Sequence, residues 1–172
     1  MTSATRQTPA ALTTPARQRN DTALHESAHA VVALRTGTRF DEIVLDPPLD
    51  PACLGILTLP DAPTYRALAV VLCAGIVVDL RLGYPLSESP GSDMEELVQL
   101  GADLAAETGR APRTVMLEAF GEARRILRRQ HAAVRRVTVA LLTDGRLSYD
   151  EARRIAQLPG RAPRPARRRA AA

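Results

Sequence analysis

The sequence predicts a mainly helical α+β domain carrying a small two-stranded β element, and three observations lead there. Apolar residues make up 45% of the 172-residue chain but aromatics only 3%. Ala, Val and Leu must therefore fill the core, which favours closely packed helices over a sandwich or barrel. The longest uninterrupted apolar run, Ala67 to Val78, spans twelve residues; a bilayer needs about twenty, so this is a buried core helix. Only two short stretches are rich in strand formers. The length suits one domain with a real core.

The elements follow in order. Residues 1–19 are polar, with Pro9 and Pro15, and read as a disordered tail. A helix is predicted from Asn20 or Asp21, either of which can cap it, through an Ala- and Val-rich segment to Gly37. Arg39–Leu45 (RFDEIVL) is the first strand and Leu54–Leu59 (LGILTL) the second, joined by the loop DPPLDPAC. Asp61 can cap the next helix, with Pro63 in its first turn and Gly83 at its end. Ser92 and Glu95 have the spacing of a capping box and open a helix to about Thr108. After Pro112 one long helix is predicted towards Leu142, with Ala123, Ile126, Leu127, Val134, Val137 and Leu141 on its apolar stripe. Its arginines fall mostly off that stripe and read as a solvated face. A second capping box, Ser148 to Glu151, starts a short last helix. Residues 159–172 form a basic, extended tail.

The formal charge of +4 belongs to the ends of the chain. Arg161, Arg164, Arg167, Arg168 and Arg169 lie in the last dozen residues, and three more arginines precede Asn20; between Asp21 and Gly160, 15 arginines face 19 acids. That leaves little ground for specific nucleic-acid binding. Cys53 and Cys73 form no Cys-x-x-Cys pair, and the N-terminus has no apolar signal stretch. A cytoplasmic protein without a membrane span is the expectation.

The first helix contains His25-Glu26-Ser27-Ala28-His29. On a helix, positions i and i+4 lie one above the other, so both imidazoles project towards one point. With three histidines in the chain, such a match arises by chance roughly three times in a thousand sequences of this kind. Glu26 follows the first histidine directly and can reach a water held by a metal. Zinc held by two imidazoles and one carboxylate keeps a fourth position open and lowers the pKa of water there towards ~7, so that Glu26 can take its proton as hydroxide attacks a carbonyl. The alternative is an amphipathic helix with two polar histidines on its exposed side. Ala28, Ala30, Val31, Val32 and Leu34 argue against it, because unligated imidazoles in a buried helix need other partners. A metzincin would need Gly and His where this chain has Val32 and Arg35. His131, on the arginine-rich helix, is expected to be exposed. Asp79, Glu88, Asp93, Glu95 and Glu96 all suit a third ligand, and spacing does not choose between them.

Five segments, in order, resemble the protease domain of the FtsH family of ATP-dependent zinc metalloproteases, over about residues 22–158. HESAHAVVAL is similar to the family's H-E-A-G-H-A-hydrophobic stretch, and FDEIVLDPP with LGILTLP to its strand, loop and "LGYTLxLP" edge strand. LCAGIVVDLRLG resembles "LLGGRAAEExxFG", and PGSDMEELVQLGADLA the segment that supplies the last zinc ligand. RILRRQHAAVRRVTVALLTDGRLSYDEARRI resembles the terminal helices.

The resemblance implies a helical zinc-peptidase domain over residues 20–158 with one Zn2+ per protomer, Asp93 as the carboxylate ligand, and Glu26 as the general base. Residues Leu54, Gly55, Ile56, Leu57 and Thr58 would hold a polypeptide substrate as an added strand. Departures accompany it. Ala28 replaces a glycine, and Ile76-Val77-Val78-Asp79 replaces Arg-Ala-Ala-Glu. Only GRAP at 109–112 follows the ligand-bearing helix. Asp79 is expected to accept a hydrogen bond from the free ring nitrogen of a metal-bound histidine; the plainer reading is an acid at the exposed end of a helix. A stand-alone domain without the family's ATPase module is expected. The expectation is an ATP-independent peptidase for unfolded or flexible polypeptides, or one working beside a separately encoded ATPase. The alternative is a zinc-containing module that binds peptides with little or no cleavage. The family's ring is built largely with its ATPase modules, so oligomerisation stays open.

Overall fold

The computed structural model describes residues 15–46, 64–84 and 93–157, and the backbone of 55–57. Six helices and three short strands are present among them: α1 Pro15–Thr36, β1 Glu42–Leu45, β2 Gly55–Leu57, α2 Tyr65–Leu82, α3 Asp93–Thr108, α4 Pro112–Arg129, α5 His131–Asp144, β3 Arg146–Ser148 and α6 Tyr149–Ala156. The mainly helical class with a small antiparallel sheet is as expected.

Two central helices organise the molecule. In α1 every residue from His25 to Ala33 is buried, and in α2 every residue from Ala69 to Asp79. Alanine, valine, Cys73 and Gly75 make up most of the facing surfaces, so the two axes approach closely and form the most extensive contact between elements. On one side α3 and α4 cover α2; on the other α5, α6 and the sheet cover α1. Both central helices end on a left-handed glycine. Gly37 has φ 79° and is followed by a bond from Thr38 N–H to the Ala33 carbonyl. Gly83 has φ 90°, and it and Tyr84 both donate to the Asp79 carbonyl. These are the wide bonds of a Schellman-type stop, which a side-chain-free residue permits.

The sheet has the order β2-β1-β3, antiparallel throughout, with Ile43 opposite Leu57 on one side and Leu147 on the other. Among the described residues β2 is therefore an edge strand. β3 is an addition to the predicted pair. Three residues ahead of a capping box carry no alternation to read, and Leu147 alone marks them by its burial.

Other boundaries also move. α1 begins at Pro15, not at Asn20 or Asp21, so residues 15–19 of the predicted tail are helical. Proline suits a first helical turn, and Arg17 pairs with Asp21 one turn on while Arg19 Nε donates to Asp46 at 2.7 Å. Thr64, not Asp61, caps α2, its hydroxyl accepting from Ala67 N–H. The predicted long helix is two, broken at Gln130 (φ −111°, ψ 18°) between α4 and α5. Its stripe stays continuous across the break, with Ala123, Leu127, Val134, Val137 and Leu141 buried and Ile126 partly so. The box on α6 is present as predicted, with Ser148 accepting from Glu151 N–H and Glu151 from Ser148 N–H. The predicted tails over 1–14 and 159–172, the loop from Pro47 to Cys53, Asp61, Pro63, Glu88 and Ser92 lie outside the described residues, as do Leu54 and Thr58. No described helix is long and apolar enough to cross a membrane.

Candidate metal centre

The buried run of α1 opens on His25 and His29, and the buried run of α2 faces them. One helical turn apart, the two rings approach edge to face with centroids 4.7 Å apart, and their Nε2 atoms stand 2.9 Å from each other. Asp93, the first residue of α3, brings Oδ2 to 3.2 Å from His25 Nε2 and 3.0 Å from His29 Nε2. These three side chains could hold a metal ion. Of the five acids that spacing left open, Asp93 joins the histidines. Glu95 and Glu96 are exposed on α3, and His131 is exposed as expected.

The opposite ring nitrogens define the proton positions. His29 Nδ1 lies 2.8 Å from the Val71 carbonyl, which only accepts, so this nitrogen is the N–H donor. His25 Nδ1 lies 2.9 Å from Asp79 Oδ1 and donates to it. A neutral imidazole with its proton on Nδ1 carries a bare lone pair on Nε2. Two such lone pairs and a carboxylate oxygen thus face one another at about van der Waals distance. With both protons on Nδ1 neither ring can donate to Asp93 Oδ2, which is buried and has no other hydrogen-bond donor within reach. That is a costly arrangement for an unoccupied polar pocket and a suitable one for a cation.

Electrostatics agree. Burial works against charge on His25, but the carboxylates of Asp79 and Asp93 overcome it and push its pKa up to about 10. His29 moves the same way against its own burial, chiefly through the charge on Asp93. Asp93 resists burial too, and the two histidines hold it well below the usual carboxylate range. Without a metal the cluster therefore gathers protons in its place. Burial raises the pKa of Glu26, although both histidines pull it down. Its carboxylate makes no hydrogen bond among the described residues.

α2 supplies the opposite wall on a single stripe, Val71, Gly75 and Asp79, spaced four residues apart. Asp79 takes the bond expected of it, and is buried rather than exposed. Val71 and Gly75 were not foreseen. A Cβ at Gly75 would stand 2.5 Å from both Asp93 Oδ2 and His25 Nε2, so only glycine leaves room for the cluster. A glycine inside an apolar helix costs about 1 kcal/mol relative to alanine, and that was the available signal. A carbonyl such as that of Val71 leaves no mark in a sequence. Of the predicted substrate strand, Gly55, Ile56 and Leu57 form β2, and β2 lies beside α1.

No protein-family model matches the chain, and no curated protein matches it either.

Proposed function

We propose that this chain is a zinc metallopeptidase that hydrolyses peptide bonds of unfolded or flexible polypeptides. The observation that carries the reading is the convergence of His25 Nε2, His29 Nε2 and a buried Asp93 Oδ2 on one point, with Glu26 directly after the first ligand. Two imidazoles and one carboxylate are a frequent donor set for catalytic zinc, with a fourth position open. Three corners of a tetrahedron with bonds of about 2.0–2.1 Å lie roughly 3.3 Å apart, close to the 2.9–3.2 Å separations found here. Zinc held there would polarise the scissile carbonyl and acidify the attacking water.

The chain's own residues would do the rest. Glu26, buried and with a raised proton affinity, accepts the proton of the attacking water through its carboxylate and passes it to the leaving amine. Asp79 and the Val71 carbonyl fix both histidine tautomers and so keep Nε2 free for the metal. β2, paired with β1 on one side, has its other edge free among the described residues and suits an extended substrate bound as an added strand. Binding of that kind selects flexible chains over folded ones. The resemblance to the FtsH protease domain belongs to the same reading, as does cooperation with a separately encoded ATPase.

Glu26→Gln is the discriminating variant. It should retain zinc and fold, and lose casein cleavage by two to four orders of magnitude, the usual scale of a general base. Wild type should cut casein without ATP and leave a stably folded protein intact. Equal inertness of wild type and variant, both zinc-loaded, would replace the peptidase with a peptide-binding module.

A further inference from the structure

α4 turns four arginines to solvent in its last two turns and one more in its first. Its apolar stripe, Val115, Ala119, Ala123 and Leu127, is buried, while Arg113, Arg124, Arg125, Arg128 and Arg129 are all exposed. Helical spacing puts Arg113, Arg124 and Arg128 on one line about 22 Å long, with Arg125 and Arg129 beside it. Arg125 reaches Glu122 only at 4.0 Å, and Arg124, Arg128 and Arg129 have no acidic partner among the described residues. Glu118 and Glu122 share the row of Arg125 and Arg129 and are held by Arg110 and Arg66.

The distribution is not one of random substitution. Residues 123–143 contain six arginines and no acid, whereas residues 82–109 contain six acids and no base. Four of those arginines are on α4; Arg135 and Arg136 are on α5, with Arg136 donating to the Ile155 and Ala156 carbonyls. Every basic residue of the chain is Arg and none is Lys, but such a preference does not sort charge in this way. Helix stability does not account for it either. Arg128 and Arg129 suit the negative end of the helix dipole, but Arg113 sits in the first turn, where a cation is disfavoured.

The chemistry of the face selects its partner. A membrane-lying helix inserts an apolar side, and that side of α4 is spent on the core. A protein partner is anchored by buried aromatic and aliphatic groups, and this face offers Leu117 alone. Single-stranded nucleic acid is held by exposed aromatic platforms, and α4 has only Phe120, which is partly buried. A linear, forked-donor, nearly apolar-free surface suits phosphates in a row. We propose that the exposed face of α4 binds the phosphate backbone of double-stranded nucleic acid without reading its sequence.

Fluorescence anisotropy of the full, metal-loaded chain with a labelled 20-base-pair duplex tests this, over roughly 50–200 mM salt. Binding should be equal for two unrelated sequences, and its logarithm should fall linearly with log salt by about 0.9 per phosphate contacted. Replacing Arg124, Arg128 and Arg129 with Gln should lower that slope by about two to three and weaken binding at least tenfold at about 0.1 M salt. Replacing the same three with Lys should restore the slope, which separates lost charge from lost fold. Gln at Arg161, Arg164, Arg167, Arg168 and Arg169 should leave most of the slope in place. The proposal is overturned if the α4 Gln variant binds like wild type, if the tail variant abolishes binding, or if poly-glutamate binds and the duplex does not.

Discussion

Replacing Gly75 with alanine would press a methyl carbon against His25 and Asp93 Oδ2, and the two sides of that change have opposite signs. In the helix itself alanine is favoured by about 1 kcal/mol. At the cluster the ring of His25 must swing away and give up its bond to Asp79. Gly75→Ala should therefore keep the fold and lose at least a hundredfold in metal affinity, measured by competition with a chromogenic chelator. An unchanged affinity would mean that the ligands do not meet where α1, α2 and α3 place them. Asp79 is a gentler case. Asp79→Asn can still accept from His25 Nδ1 but carries no charge, and should cost ten- to a hundredfold in affinity. Asp79→Ala leaves a buried N–H without a partner, and should add a destabilisation of about 1–3 kcal/mol in the metal-free protein. At this scale the sequence was legible where chemistry is local. His25, Glu26 and His29 are readable because i and i+4 share a helix face, whereas Asp93 is 64 positions beyond His29 and only the tertiary fold, or a resemblance, can choose it from its neighbours.

The elements repeat that contrast. The cap on α6 is local, and Ser148 and Glu151 announced it. Ser148→Ala removes one acceptor for the Glu151 N–H and should destabilise by about 1 kcal/mol. It should lower the melting temperature by a few degrees and leave metal stoichiometry untouched; a changed stoichiometry would tie α6 to the centre in a way its position beside α5 does not suggest. The helical spans were legible wherever an apolar stripe or a glycine stop marks them, as at Gly37 and Gly83. Three features were not. β3 is too short to show a period and exists because β1 offers it an edge. The break at Gln130 leaves the apolar stripe in phase, so no pattern betrays it. The extra turn before Asn20 carries Arg19, whose ion-pair partner Asp46 lies 27 residues further on and leaves no local pattern.

For the whole molecule the centre links stability to pH. The pKa of His25 is raised to about 10 from its ordinary 6.5. Its contribution to metal-free stability is thus full below about 6.5 and is lost as pH rises towards 10. Glu26, also raised, acts in the same direction. Asp93, lowered, contributes above its ordinary 3.8 and loses that only as pH falls through its folded value. Metal uptake needs the imidazoles neutral, so it displaces protons and strengthens with pH. The melting-temperature gain on adding zinc should therefore grow between about pH 6.5 and 8, and a gain that shrinks over that window would contradict the proton arrangement. All of this presupposes a metal held by three named side chains, and metal content measures that directly. After chelation and reconstitution, wild type should hold one zinc per chain. So should Glu26→Gln, Glu95→Ala and Glu96→Ala, while His25→Ala and His29→Ala should hold none and Asp93→Ala should bind far more weakly. Full zinc affinity in Asp93→Ala would contradict the account.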